Sequence, residues 1–537
     1  MRLIKEDTKN QCNISFESLK EKFYSGDTPN VDPSIYDRYN LAVSPPTVSK
    51  VSTKLKNCEN TVPSPDRLTY YHLKKVDEDA KVLALIFNIC LKAQKIPKAW
   101  KISKTVLIPK PGDPSVPENW HPVSLSSTIY KLFSSLIAKR ISEWIEANGV
   151  LSRCQKGFRP FDGTIENNYL LKERIQSCRR SQNDLCLLLF DVKNAFGSIF
   201  HEALLAACKA AGVGDTFLKL ISDLYSGNTT HLLTAEGLSE SVDVCVGVKK
   251  GCPLSGPMFN ITIDPIFSLV QERREDYHIL GYADDIAILE ESPEALQESL
   301  DKISSALSRI GLSINPRKCA TVHIKGDRAD CVDSTFKING TNIPVLRKFD
   351  YTKYLGKPVG FNIFSIDENM DGFLDYGTQI LTSNLATWQR IDALKSFFYP
   401  SLNYAMRTDQ FGKDDWKRLD DSLRPLLKKT LNLPDRASND FLYGNSKDSL
   451  FGVPLTAEDS DIARIDTAFK LLMSIDPNVK VLAWDDLKLC TSDRITHSPG
   501  LEDMENFLSN VRYSGTSNYY SSVWARARAA SGRLGVK

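Results

Sequence analysis

Apolar residues fall into two patterns along this chain: unbroken runs of four to eight, which suit strands buried on both faces, and repeats at helical spacing. Leu185-Cys-Leu-Leu-Leu-Phe190 is a run of the first kind, and it stops abruptly at Asp191. The stretch 277–282 and the stretch 286–289 are two more, and Ala283-Asp284-Asp285 lies between them. That arrangement predicts a buried β-hairpin with two adjacent acids at its tip. Further strands are predicted at 103–108, ahead of a Pro/Gly turn, over a hairpin spanning 229–247, after Gly311, and at 349–356. The helical pattern covers 77–99 (stopped at Ile96-Pro97), the later half of 119–140, a segment from about Ile165, 201–211, 215–225, 258–272, 293–310 and 416–431. Residues 1–65 are polar and punctuated by prolines, with 47–57 as one helix candidate, and the last 60 residues carry little core signal.

Composition changes this picture in three ways. A length of 537 residues is too great for one core, so several domains are expected. The net charge is only +2, which excludes a general polycation; any nucleic-acid surface must be a local patch. One such patch runs from Lys92 to Arg140, where nine cations face only Asp113 and Glu118. Twelve cysteines never form a Cys-x-x-Cys pair, which argues for reduced buried thiols and against a zinc finger. With no apolar leader and no apolar stretch long enough to span a bilayer, the expectation is a soluble, intracellular protein without a membrane partner.

The acids are where chemistry is expected. Adjacent carboxylates repel, and burial raises their pKa, so a buried Asp284–Asp285 pair needs compensation that a divalent cation would supply. An ordinary exposed turn is the alternative, since Asp is common in turns. Asp191 ends its own buried strand, a way to present a catalytic carboxylate, although a helix N-cap is equally compatible. If the two strands are neighbours in one antiparallel sheet, three carboxylates meet at one edge. Hard oxygen ligands of that kind suit Mg²⁺. Lys249-Lys-Gly-Cys-Pro-Leu-Ser-Gly-Pro257 could seat a nucleotide at a helix start, or merely cap the helix.

Ordered motifs then carry a resemblance. Phe190-Asp-Val-Lys-Asn-Ala-Phe196 and Tyr282-Ala-Asp-Asp285 resemble the two catalytic motifs of reverse transcriptases. Ile108-Pro-Lys-Pro-Gly-Asp, Trp120-His-Pro-Val-Ser-Leu, Gln155-Lys-Gly-Phe-Arg, Gly251-Cys-Pro-Leu-Ser, Gly311-Leu-Ser-Ile-Asn-Pro-Arg-Lys-Cys and Tyr354-Leu-Gly follow in the order seen in polymerases of non-LTR retrotransposons. The region after 380, with Leu431-Asn-Leu-Pro and Phe451-Gly-Val-Pro, is most similar to the thumb of the site-specific class, whose members usually end in a restriction-like endonuclease. No Cys/His finger precedes the motifs and no endonuclease is expected after 477, as for a truncated or decaying polymerase fragment.

The resemblance implies an α+β right-hand polymerase: an N-terminal extension (1–65), fingers (66–180), a palm with an antiparallel sheet and primer grip (181–360), a helical thumb (361–477) and a partly disordered linker (478–537). It implies an RNA-directed DNA polymerase that transfers a nucleotide from dNTP to a primer 3′-hydroxyl, or else a catalytically silent nucleic-acid-binding remnant. Its partners would be an RNA template, a DNA primer and dNTP, and its oligomeric state is left open. Two Mg²⁺ ions, with Mn²⁺ as a substitute, would be held by Asp191, Asp284, Asp285 and the carbonyl of Val192. Lys110 would reach the triphosphate, Phe196 would exclude a ribose 2′-hydroxyl, Lys318 would protonate the leaving group, and Tyr354-Leu-Gly356 would grip the primer. A nuclear location is expected from the family, although no clear localisation run is present.

Three segments depart from the family pattern. His121 replaces an arginine that forks onto the triphosphate, Lys249-Lys250-Gly251 replaces Arg-Gln-Gly, and Gly197 replaces an aspartate. Since a mostly neutral histidine lacks the fixed bidentate charge of arginine, weakened nucleotide affinity is expected.

Overall fold

The computed structural model of the chain describes residues 46–61, 66–271, 274–328, 330–361, 367–445, 447, 450–495, 497–511 and 522–535. Most of the proline-punctuated extension lies outside those residues. Its predicted helix is present as Val48–Lys56, capped by the Thr47 hydroxyl, which accepts the Lys50 amide at 3.3 Å.

Contacts divide the chain into two compact units. The first comprises Met1–Arg159, Asn183–Lys325 and Val332–Val345; the second comprises Pro160–Gln182, Gly326–Cys331 and Leu346–Lys537. This grouping does not follow the sequential segments 66–180, 181–360 and 361–477, because the helix Gly163–Ser181 and the Tyr354–Gly356 turn both fall in the second unit.

Two four-stranded sheets organise the first unit. One contains β1 (Ile102–Pro109), β2 (Trp120–Ser126), β5 (Thr229–Thr234) and β6 (Gly237–Asp243) in the order β2-β1-β5-β6. The other contains β3 (Asp184–Phe190), β7 (Ile279–Tyr282), β8 (Asp285–Glu290) and β10 (Ala320–Lys325) in the order β10-β3-β8-β7. All pairings in this second sheet are antiparallel. The short strands β4 (Val192–Lys193) and β9 (Ser313–Ile314) form a separate ribbon.

The all-apolar run of β3 is explained by its central place in that sheet. Every residue from Leu185 to Phe190 is buried, flanked by β10 on one side and β8 on the other. Burying each such side chain is worth about 1.5–3 kcal/mol, which fixes the strand and so the position of whatever follows it. Helix 293–309 covers this sheet with Leu296, Leu300, Ile303 and Leu307, all buried at alternating spacings of four and three. The helix predicted over 77–99 is shorter, and Asp77 lies ahead of it. That helix is Lys81–Ala93, and the carboxylate of Asp77 accepts the amides of Val82 and Leu83 at 3.2 and 2.8 Å.

The second unit is mostly helical around a core that includes Phe398, Leu402, Trp416, Leu419, Leu423 and Leu427. Its C-terminal part corrects an expectation. Where a linker is expected from 478 on, the chain carries the helices Pro477–Ser492, Leu501–Leu508 and Val523–Leu534. Few apolar residues suffice there because they are large. Trp524 is fully buried and donates to Asp486 at 2.7 Å, and Arg528 lies 5.0 Å from the Phe507 ring while donating to the Phe507 carbonyl at 2.6 Å. Among the described residues the cysteines are free thiols, most of them buried, and no helix is long and apolar enough to cross a membrane.

Candidate active site

β3 and β8 are direct neighbours, with Phe190 opposite Ile286, so Asp191 leaves the sheet beside the residue that opens β8. Tyr282 pairs with Asp285, which leaves only Ala283 and Asp284 in the turn. Asp285 therefore begins β8 rather than sitting at the tip. Ala283 adopts a left-handed conformation (φ 58°), rare for a residue with a Cβ, so something must hold it there.

That holder is Gln155. Its Oε1 accepts the amide of Ala283 at 2.8 Å and that of Gly157 at 2.9 Å, while its Nε2 donates to the Ala283 carbonyl at 3.1 Å. Two backbone bonds extend the clamp: Lys156 N to Gly281 O at 2.9 Å, and Gly281 N to Cys154 O at 2.8 Å. Gln155 is fully buried. Gln155 opens one of the ordered motifs, yet a glutamine near Gly-Phe-Arg is no local signal for a contact 128 residues away. Asp191 is pinned in the same way, its carbonyl accepting the Asn315 amide at 2.9 Å and its amide donating to Cys319 Sγ at 3.4 Å.

The three carboxyl groups feel one another. Burial pushes Asp191 above the usual carboxylate range, opposed by Lys318, Lys110 and the Asn315 side chain. Burial also raises Asp284, with Asp191 adding repulsion and Lys250 and Lys110 opposing. Asp285 keeps a solvent-facing surface, yet the protein packed around its carboxyl, with Asp284 and Asp191 nearby, pushes it up to about 6. Lys110, Lys250 and Lys318 are thus the cations facing this edge. Lys110 is also tied across its turn, its Nζ donating to Glu118 O at 3.3 Å. Burial depresses both Lys110 and Lys250, and the acids partly restore them.

His121 lies on β2 opposite Ile108, and burial together with Lys250 and Lys110 holds its imidazole below 6.5. Its neutral form is thereby favoured. The loop of Lys250 is attached to the same strand, since Ser124 N donates to Lys250 O at 2.9 Å. Gly251 sits there with φ 101°, and a Cβ would come within 3.0 Å of the Ser124 carbonyl, so glycine is required. The neighbouring lysine has another job. Lys249 is buried, donates to Asn228 Oδ1 at 2.8 Å, and is pushed down to about 8 by burial. Of the two lysines in the loop, Lys250 is the one that faces the carboxylates.

Phe196 stacks on Phe259 with ring centres 4.5 Å apart and planes 3° from parallel, and meets Phe158 edge-on at 5.8 Å. Val192 is buried at the start of β4. Gly197 stands where the Asn194 carboxamide fills the adjoining space: a Cβ at 197 would lie 2.4 Å from Asn194 Nδ2. A cavity of about 400 Å³ adjoins these residues, lined in part by Pro122, Asn194, Gly197, Gly247 and Lys250. The basic patch of 92–140 is less free than its composition suggests, because Lys101 pairs with Asp223 at 3.1 Å and Lys139 with Glu143 at 3.8 Å.

The donor set fits a hard divalent cation: three carboxylates at one sheet edge, their pKa values raised and cations held nearby. Among the described residues no three His, Cys, Asp or Glu side chains form a ready-made cage. Mg²⁺ does not require one, since it binds one or two carboxylates and takes its remaining ligands from water and substrate phosphates.

A mixed chain whose central antiparallel sheet delivers Asp191 and a paired-acid hairpin to one edge has the fold of a right-hand polymerase palm. Residues 108–359 match the family described as reverse transcriptase (RNA-dependent DNA polymerase), and the chain is similar to polyproteins of retrotransposable elements. Among its relatives are the Pol polyproteins of the type-1 retrotransposable element R2 from Popillia japonica (25% identical over 69% of this chain and 53% of that one) and from Nasonia vitripennis (28% identical over 75% of this chain and 39% of that one). Another is the RNA-directed DNA polymerase from mobile element jockey of Drosophila funebris, 30% identical over 59% of this chain. The chain spans 53%, 39% and 35% of these three relatives, respectively.

Proposed function

We propose that this chain is an RNA-directed DNA polymerase that extends a primer 3′-hydroxyl on an RNA template with dNTPs. The observation that carries this reading is the pairing of β3 with β8, which brings Asp191 and Asp284–Asp285 to one edge under the cations Lys110, Lys250 and Lys318. Asp191, Asp284, Asp285 and the Val192 carbonyl would hold two Mg²⁺ ions, with Mn²⁺ a substitute. Bound there, the ions supply charge stabilisation for the attacking and leaving oxygens of an in-line displacement.

The chain's own residues bind and orient. Lys110 and Lys250 attract the triphosphate, and Gly251 lets it approach the backbone over β2. Phe196, fixed by its stack on Phe259, lies under the sugar and disfavours a 2′-hydroxyl. Lys318 donates a proton to the leaving pyrophosphate. Gln155 keeps the Asp284 turn in register by holding Ala283. Tyr354-Leu-Gly356 holds the primer strand. Nuclear localisation belongs to the same reading.

A silent remnant that binds nucleic acid without catalysis is the second reading, and what favours it is a histidine, His121, on β2 where the resemblance implies an arginine. Primer extension on an RNA template with Mg²⁺, comparing wild type with Asp284→Asn, tests both. Losing a ligand whose contribution is several kcal/mol should cut extension by at least about a thousandfold at 1.36 kcal/mol per tenfold. Absence of any Asp284-dependent product would sink the polymerase reading.

A further inference from the structure

Beside the Ala283 turn, a bulky residue is held in a conformation that it resists. Phe158 has φ 55°, in the left-handed region that a side chain of its size rarely adopts. Its ring is still 52% exposed, so core burial does not explain why the strain persists. The chain on either side holds it there. The Gly157 amide donates to Gln155 Oε1 at 2.9 Å, and the Gly157 carbonyl accepts Asn260 Nδ2 at 2.6 Å. Arg159 donates to the two Glu146 carboxylate oxygens at 2.7 and 2.9 Å, and to the carbonyls of Ser152 and Gln155 at 2.7 and 2.9 Å. Backbone strain that the surroundings over-determine in this way clusters at functional sites.

What the ring touches is the aromatic assigned to the sugar. Phe158 meets Phe196 with ring centres 5.8 Å apart and planes at 68°, while Phe196 lies flat on Phe259 at 4.5 Å. The start of one helix, Ser255–Gln271, supports all of this. Phe259 is fully buried, Asn260 holds Gly157, and Gly256 leaves room for the Phe158 ring, which a Cβ there would meet at 2.5 Å. Aromatic pairs tolerate centre separations over about 4.5–7 Å, so a flat stack alone lets a ring slide in its own plane. A ring that must reject one additional oxygen has to keep its position within about 0.5 Å. An edge-on neighbour on a clamped, strained backbone removes that slack.

We propose that Phe158 is a positioning residue for Phe196: by bracing the Phe196 ring against Phe259, it sets how strongly the site prefers deoxyribonucleotides to ribonucleotides. The inference rests on the polymerase reading and on the place of Phe196 under the sugar.

The test is single-nucleotide primer extension by the full chain on an RNA template with Mg²⁺, with dGTP and rGTP compared opposite a template cytosine. The quantity read is the ratio of the two kcat/KM values. Phe158→Ala should lower this preference for dGTP tenfold or more, and Phe158→Tyr, which keeps the ring, should retain it within about twofold. A merely structural ring would lower both rates together and leave the ratio where it was. Phe196→Ala should lower the preference at least as far, and adding Phe158→Ala to it should change the ratio no further, because the first residue acts through the second. A cooperative thermal transition shows that each variant is folded; Phe158→Leu, which keeps bulk without a planar edge, replaces Phe158→Ala if that variant lacks one. An unchanged ratio in a Phe158 variant that still extends primers, or an equal fall with and without Phe196, would overturn the proposal while leaving the polymerase reading intact. Wild type that extends with neither nucleotide would instead remove the polymerase reading, and this inference with it.

Discussion

Asp461 in the second unit and Asp285 at the carboxylate edge of the first are both crowded by protein, and their ionisation moves in opposite directions. Asp461 is completely buried, yet Arg533 donates to it at 2.5 and 2.9 Å, Lys413 pairs with it, and Arg464 lies at 3.4 Å; together they hold it below the usual carboxylate range. Asp285 keeps solvent contact but has acids for neighbours, and it rises to about 6. Burial alone therefore does not decide the outcome. The first acid is satisfied from within the chain and serves architecture. The second is left under-compensated, as expected of a group whose counter-charge arrives with a substrate.

The sharpest way to break this contrast is to remove the satisfied acid. Asp461→Asn leaves Lys413, Arg464 and Arg533 without their shared counter-charge, and removing one partner of a buried ion pair costs about 3 kcal/mol or more. A clear fall in Tm is expected, read by calorimetry, and an unchanged Tm would mean that the cluster is not structural. Gln155→Ala comes next. Leaving the buried Ala283 amide unsatisfied costs about 1–3 kcal/mol, and because the effect falls on the geometry of Asp284, kcat should drop about tenfold with KM nearly unchanged. Gln155→Glu, which retains the acceptor for the amide, should recover part of the loss.

Two smaller effects sharpen the contrast by altering charge at the under-compensated edge. His121→Arg adds a fixed cation where an imidazole now stands, and a partly solvated charge contact of about 1 kcal/mol should lower the dNTP KM several-fold. Equal KM values in the two proteins would deny His121 its place near the triphosphate. The smallest effect is on stability. Asp285 ionises near 3.8 when unfolded and near 6 when folded, so between those values the unfolded state loses its proton first. Its contribution is fully present below about pH 4 and is lost as pH rises through 6. Metal-free Asp285→Asn should therefore gain a slightly higher Tm than wild type above pH 6, and it should gain less than wild type when Mg²⁺ is added.

Much of this edge was legible because it is spelled by contiguous residues. The apolar run ending at Asp191 and the acid pair between two apolar runs each specify their own strand, and their antiparallel neighbourhood in one sheet followed as expected. What stayed hidden depends on partners distant in sequence. Gln155 reaches a turn 128 residues on, and Lys249 turns aside to Asn228, 21 residues back. The C-terminal helices were missed for a different reason: their core rests on a few buried aromatics and hydrogen-bonded arginines, which a count of apolar residues undervalues.

The crowding around Gly197 constrains which substitutions can be made there. A Cβ on Gly247 would sit 2.7 Å from the Gly197 backbone, so the two glycines are in contact, while the Asn194 amide occupies the other approach to 197. Restoring an acid at 197 in one step places it against an occupied site. Asn194 must first swing away or be replaced, which makes the order of substitutions matter.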